Sequence, residues 1–193
     1  AEVAAAIRPN TRMLWLETPA NPTMKLCDIA ALARLAHERG VRDVAVDSTY
    51  ATPIATQPLS LGADFVVHSL TKYIGGHGDA MGGAVIGRKA ELDALNLEAT
   101  VHFGGVLSPF NAWLILRGAA TLPIRMKAHQ DTAMKVAAFL EAHPEVALAY
   151  ANIDIINAEG IVTAQRADTE HGGQNYTGNE LIALLKKNFI CAP

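Results

Sequence analysis

Cysteine is scarce in this chain. Cys27 and Cys191 are the only two among 193 residues, and their spacing fits neither a metal site nor a disulfide framework. That usage fits a reduced, cytoplasmic setting. No apolar run reaches the ~18 residues of a membrane span. The opening Ala1-Glu2-Val3 is neither a signal peptide nor an initiator methionine, so the sequence reads as a piece of a longer chain. Charge is sparse at 18% of residues, the net charge is −3, and no run of lysines or arginines forms a basic arm. Nothing there favours nucleic acid or a membrane as a partner.

Several catalytic signatures are missing as well. His68, His77, His102 and His129 form no HExxH spacing, so no metal site is expected. Ser108 has no GxSxG elbow, which removes the serine-hydrolase reading. The glycines around Gly75 make neither a dinucleotide fingerprint nor a P-loop. There is no internal repeat and no low-complexity tract.

Half of the residues are apolar, and the length suffices for one domain with a core, or one domain plus part of another. Met13-Leu14-Trp15-Leu16 reads as a strand ending at Glu17, and Pro19, Asn21 and Pro22 make a loop. Asp28 caps a helix with Ile29, Leu32, Leu35 and Ala36 on one face, and Gly40 ends it. Val44-Ala45-Val46 follows as a second strand closed by Asp47, which completes a βαβ unit with parallel strands. A short helical segment near Leu59 leads to a third strand, Phe65 to His68. These continuous apolar runs predict burial on both faces. No crossover helix fits between Phe65–His68 and the run Gly83–Ile86, so the fourth strand should be antiparallel to the third. The fold class is α/β, with a mostly parallel sheet.

From Pro109 the pattern turns helical. Ala112, Ile115 and Leu116 fit one face, and Gly118 lies near a break. Ile124 to Leu140 reads as a long helix with Met126, Ala133, Val136, Ala137 and Leu140 as inner positions, ended by His143-Pro144. Further on, Ile153–Ile156 suits a strand and Leu181–Lys187 a helix. A polar stretch with Gly172, Gly173, Asn175 and Gly178 separates them.

The most telling segment is Ser69-Leu70-Thr71-Lys72, which runs into Tyr73-Ile74-Gly75-Gly76-His77-Gly78-Asp79. Hydroxyls can hold a phosphate, and a primary amine can form a Schiff base with a carbonyl-bearing cofactor. Ser69 and Thr71 face one way if the backbone stays extended; turn bonding to nearby backbone is the alternative. Asp47, at the end of an apolar strand, lies where open α/β sheets bind ligands. As a helix N-cap it fits equally well. Asn21 by itself reads as a turn residue. Arg117 and Arg125 suit helix and loop geometry better than substrate binding.

Residues 12–150 as a whole resemble the cystathionine γ-synthase and methionine γ-lyase family of pyridoxal-phosphate (PLP) enzymes of fold type I. The resemblance rests on the ordered occurrence of many motifs. They include Glu17-Thr18-Pro19-Ala20-Asn21-Pro22, Val46-Asp47-Ser48-Thr49-Tyr50-Ala51-Thr52-Pro53, Leu61-Gly62-Ala63-Asp64 and His68 through Asp79. Leu107-Ser108-Pro109-Phe110, Leu116-Arg117-Gly118, Thr121-Leu122 and Arg125-Met126 follow.

The resemblance implies a three-layer large domain of the PLP-transferase type, present here in part. Residues 1–110 would supply part of that PLP-binding domain, and residues 111–150 a helical connection towards a C-terminal domain. Residues 151–193 form a tail that matches no family motif. Lys72 would hold PLP as an internal aldimine, and Asp47 would pair with its pyridinium nitrogen. Ser69 and Thr71 would hold its phosphate, and Asn21 its phenolic oxygen. The implied reaction is γ-elimination on methionine- or cystathionine-like amino acids by a homo-oligomer. γ-Replacement of the cystathionine γ-synthase or O-acyl-homoserine sulfhydrylase type stays open beside it. So does an inactive fragment serving as an assembly module, because the family's N-terminal wall and substrate-binding arginine are not found here.

Overall fold

The computed structural model of the chain describes residues 2–143, 154–156 and 162–165. The chain divides into two compact units, Ala1–Lys127 and Ala128–Pro193. The first is built on a four-stranded sheet in the order β1 (Met13–Glu17), β2 (Asp43–Asp47), β3 (Phe65–Ser69) and β4 (Gly83–Gly87). β1 pairs with β2, and β2 with β3, in parallel. β4 runs antiparallel to β3, from Phe65↔Gly87 to Ser69↔Gly83. Both the parallel pairs and the reversed fourth strand agree with the expectation from the sequence.

A short helix, α1 (Glu2–Ala6), precedes the sheet, and α2 (Ile29–Glu38) makes the crossover from β1 to β2. The Asp28 carboxylate caps α2 by accepting the Ala31 N–H at 2.9 Å, which satisfies a donor that the first turn leaves open. Gly40 follows the helix at φ +78°, a conformation that glycine adopts without a Cβ penalty. Ile29, Ala33 and Ala36 pack with Leu16, Val41, Val44, Val46 and Ala63 to form the core. Ala33 and Ala36 are 1% and 0% exposed. Their small side chains let the helix backbone lie close to the sheet.

α3 (Thr52–Ala55) and a 3-10 turn (Pro58–Leu61) lead into β3. After β4 come α4 (Lys89–Asn96), α5 (Pro109–Ala119) and α6 (Leu122–Ala142), the last of which runs across the boundary between the units. In the second unit β5 (Asp154–Ile156) pairs antiparallel with β6 (Val162–Gln165). β5 falls where a strand was expected. The helix expected at Leu181–Lys187 and the polar stretch from Gly172 to Gly178 lie outside the described residues. Among the described residues, no helix is long and apolar enough to cross a membrane.

Three burial expectations need correction. Of the first three strands, β2 is buried on both faces over Asp43–Val46, β3 alternates and β1 is largely open. β2 and β3 are the inner strands of this sheet, while β1 and β4 are its edges. In α5, Ile115 and Gly118 are buried but Leu116 is 72% exposed. In α6, Met126 and Leu140 are half-buried, whereas Ala133, Val136 and Ala137 are exposed. An apolar stripe marks a face suited to burial, but burial also needs a partner.

Two contacts lock the first unit. Asp64, just before β3, accepts hydrogen bonds from the Val44 N–H at 2.8 Å and from Arg88 Nη1 at 3.1 Å, and it pairs with His37 Nε2 at 2.9 Å. It thereby ties α2, β2 and the chain after β4 to one buried carboxylate. Burial alone would raise its pKa. The Val44 N–H, the His37 hydrogen bond and the positive charges of His37 and Arg88 outweigh that, and hold the carboxyl below its usual range. Gly118 of α5 lies directly against the Gly75 carbonyl, so that a Cβ on Gly118 would overlap it.

A carboxyl depressed in the folded state adds stability above its unfolded pKa, and that stability is lost as pH falls through the folded value. Asp64→Asn should therefore flatten the acid-induced loss of stability below about pH 4, as measured by urea unfolding at a series of pH values. Asp64→Ala, which also orphans the Val44 N–H, should cost about 2 kcal/mol at neutral pH. Gly118→Ala should cost about 1–3 kcal/mol by overpacking, and should shift the amide NMR signals of Gly75 and Gly76 while sparing those of α2.

Candidate active site

Parallel strands deliver their carboxyl ends to one edge of a sheet, and the loops that leave them converge there. β1 ends at Glu17, β2 at Asp47 and β3 at Ser69, with Glu17 opposite Asp47 and Asp47 opposite Val67. Residues two apart along a strand share a face. Asp47 thus lies on the same sheet face as Val67 and Ser69, while Val46, Val66 and His68 belong to the other.

The loops after the strands are stitched together. Thr18 N–H donates to the Asp47 carbonyl at 3.4 Å, and Ser48 N–H to the Val67 carbonyl at 3.0 Å. Ser69 N–H donates to Thr49 Oγ1 at 2.8 Å. The Tyr50 and Tyr73 rings meet at 6.2 Å between centroids. The turn after Asp47 and the turn that carries Lys72 therefore adjoin. Thr49 joins the two predicted site segments; it lay within a matching motif, but its hydroxyl bond spans 20 residues and left no local signal.

Asp47 is half-buried, and its Oδ1 accepts the Thr49 N–H at 2.9 Å. This is the turn bonding that aspartate makes two residues ahead, and it uses one oxygen of the carboxylate. Behind the turn, buried Thr52 holds φ +58°, at a cost of roughly 1–3 kcal/mol for a β-branched residue in that region. Its N–H donates to the Ser48 carbonyl at 2.8 Å.

His68 is buried beside this turn. Burial lowers its pKa; the Asp47 charge and a hydrogen bond with the Ser48 backbone pull the other way without overcoming it. The imidazole is thus neutral at neutral pH. Its Nδ1 and the Ser48 hydroxyl are buried without a hydrogen-bond partner.

Lys72 sits in a wide π-type turn, Leu70–Ile74, directly after β3. Its backbone leaves the helical path at φ −89°, ψ −124°, and its side chain is exposed. Ser69 is the last residue of β3, whereas Thr71 already lies inside the turn. The extended backbone that would align both hydroxyls thus stops between them. Thr71 Oγ1 donates to the Gly82 carbonyl at 3.3 Å and accepts the Gly82 N–H at 3.0 Å. Leu70 and Thr71 also send their N–H groups to the Gly82 carbonyl. The Thr71 hydroxyl closes the base of the lysine loop. Asn21 is exposed in the loop after β1, where its backbone N–H donates to Glu17 Oε1 at 3.1 Å.

The edge therefore gathers a carboxylate on a strand end, a hydroxyl on its neighbour and an exposed primary amine on the following turn. This donor set fits PLP: the amine suits its aldehyde, the carboxylate its ring nitrogen and hydroxyl groups its phosphate. Among the described residues, no cluster of three or more His, Cys, Asp or Glu could hold a metal ion.

Comparison with known proteins points to the same cofactor. Residues 1–169 match the Cys/Met metabolism PLP-dependent enzymes. A canavanine gamma-lyase from Rhizobium leguminosarum is 47% identical over 193 residues, covering 95% of this chain and 48% of its own. An L-methionine gamma-lyase from Porphyromonas gingivalis is 52% identical over 151 residues, covering 77% of this chain and 38% of its own. The crystal structure of metB from Corynebacterium glutamicum superposes with a TM-score of 0.71 at 46% identity, covering 76% of this chain and 38% of that one. The chain thus spans less than half the length of these relatives. On sequence, architecture and the chemistry gathered at the sheet edge, it belongs to the Cys/Met metabolism PLP-dependent enzymes.

Proposed function

We propose that the chain carries the cofactor-binding centre of a PLP-dependent lyase that performs γ-elimination on methionine- or cystathionine-like amino acids. The observation that carries this reading is the meeting of the Asp47 and Lys72 turns at one sheet edge, through the Thr49–Ser69 bond and the Tyr50–Tyr73 contact. Relatives of similar identity include both gamma-lyases and cystathionine gamma-synthases, so product analysis decides between elimination and replacement. Residues 1–110 supply the cofactor domain in this reading, and 111–150 lead towards a further domain. A cytoplasmic homo-oligomer completes the proposal, on the cysteine usage and the family resemblance.

Lys72 would hold the cofactor, Asp47 its ring nitrogen, Ser69 and Thr71 its phosphate, and Asn21 its phenolic oxygen. Bound PLP supplies an electron sink for negative charge that develops on the substrate. The Lys72 amine would take the proton from Cα and move protons at Cβ as the γ-substituent leaves. Asp47 keeps a proton on the ring nitrogen, and its own position is held by the Thr49 N–H. For Thr71 to donate to phosphate, its hydroxyl must release the long bond to the Gly82 carbonyl, while the shorter bond from the Gly82 N–H can stay.

The test is chemical. Borohydride reduction after addition of PLP should fix the cofactor on Lys72, as mapped by peptide mass spectrometry, and Lys72→Ala should abolish the label. A label on another lysine rejects the assignment. Asp47→Asn should lower kcat/KM for release of a 2-oxo acid from methionine or cystathionine by about a hundredfold or more. If a thioether forms on addition of a thiol and no 2-oxo acid is released without it, the reaction is γ-replacement instead.

A further inference from the structure

Arg125 lies in the first turns of α6, outside every residue assigned to the site, yet its guanidinium is committed to the lysine loop. Nη1 donates to the Tyr73 carbonyl at 2.7 Å, and Nη2 to the Ile74 carbonyl at 3.3 Å. Those are the two carbonyls that follow Lys72. Nη2 also donates to the Gly118 carbonyl at 3.0 Å, and Nε to Thr121 Oγ1 at 3.0 Å. The Thr121 hydroxyl passes its own proton to the Gly118 carbonyl at 3.1 Å.

Gly118 belongs to the last turn of α5, where carbonyls lack helical partners and a cation is favourable. One planar group thus caps α5 and grips the backbone just beyond the reactive lysine. The loop is shaped to admit it. Gly76 stands at φ +74°, and a Cβ there would overlap the guanidinium, meeting Cζ at 2.5 Å and Nη2 at 2.7 Å. Gly76 N–H donates to the Lys72 carbonyl at 2.8 Å, so the grip on Tyr73 and Ile74 falls inside a turn whose two ends are bonded.

We propose that Arg125 is a positioning residue for Lys72: it fixes the backbone of the cofactor loop by bridging the Tyr73 and Ile74 carbonyls to the end of α5. The role rests on the reading of Lys72 as the cofactor lysine, but the clamp itself is made by the chain's own groups. A planar fork that donates in several directions is needed, and a lysine ammonium does not replace it.

The experiment measures amide hydrogen exchange in the full chain without PLP, for the parent and for Arg125→Met, Arg125→Lys and Gly76→Ala. The Gly75 N–H, bonded to the Leu70 carbonyl at 2.9 Å, reports on the loop in every protein. The amides of Val44–Val46 in β2 report on the core. Arg125→Met should raise exchange at Gly75 roughly tenfold, the size expected from losing charge-assisted bonds. The core amides should hold steady. Arg125→Lys should recover only part of the protection. Gly76→Ala, which keeps the arginine but displaces its head, should behave like Arg125→Met.

The rate at which borohydride fixes PLP on Lys72 should fall in the same order across the variants. Gly75 exchange within about twofold of the parent in Arg125→Met and Gly76→Ala overturns the proposal. So does a parallel rise in the core amides of both variants, since Arg125 would then support the whole unit rather than the loop. If the exchange pattern holds but the parent takes no PLP at Lys72, the clamp stands and the cofactor reading falls.

Discussion

The pairing of Ser69 with Gly83 is the constraint from which the site follows. It fixes the two feet of residues 70–82 on neighbouring strands, so the loop leaves the sheet and returns a strand's width away. Gly82 then receives the Leu70 and Thr71 N–H groups and exchanges two bonds with the Thr71 hydroxyl. A closed base of this kind fixes the loop where it leaves the sheet, and Lys72 follows directly after it. A crossover helix between β3 and β4 would have carried the returning strand to a parallel register, and Gly82 would not close the base of the loop.

The unit separates its tasks along the strands. At the amino end of β3, Asp64 collects an N–H, an imidazole and a guanidinium, and that end is electrostatically satisfied. At the carboxyl end the polar groups are only partly matched. The His68 Nδ1 and the Ser48 hydroxyl have no partner, and Thr52 keeps a left-handed backbone. Incomplete satisfaction and local strain gather where a site is built, and the well-bonded remainder of the unit sustains them.

Much of this fold is written locally. The Asp28 cap, the Gly40 stop, the apolar runs of β1 to β4 and the lack of room for a helix before β4 are features of short windows, and each survived in the structure. The placement of Asp47 and Ser69 at strand ends and of Lys72 on the following turn was legible, because strand ends and turns are local too. What the sequence could not give is the company a residue keeps. Leu116 and Val136 sit on apolar stripes yet are exposed, because a stripe says nothing about what lies against it. The Thr71 hydroxyl bonds Gly82, 11 residues away, a partner that no short window names. Arg125 reaches carbonyls 51 and 52 residues distant, and no periodicity encodes such a span.

Ala33 and Ala36 carry a consequence for exchange between relatives. The gap between α2 and the sheet is sized for methyl groups, and a Cβ placed on Gly62 would already touch the Ala33 Cβ at 3.4 Å. Helix and facing turn therefore form a matched set. A graft of this helix into a homologous scaffold would have to carry the small residues on both sides as one cassette, since enlarging either alone would lift the layer and loosen the strands beneath it.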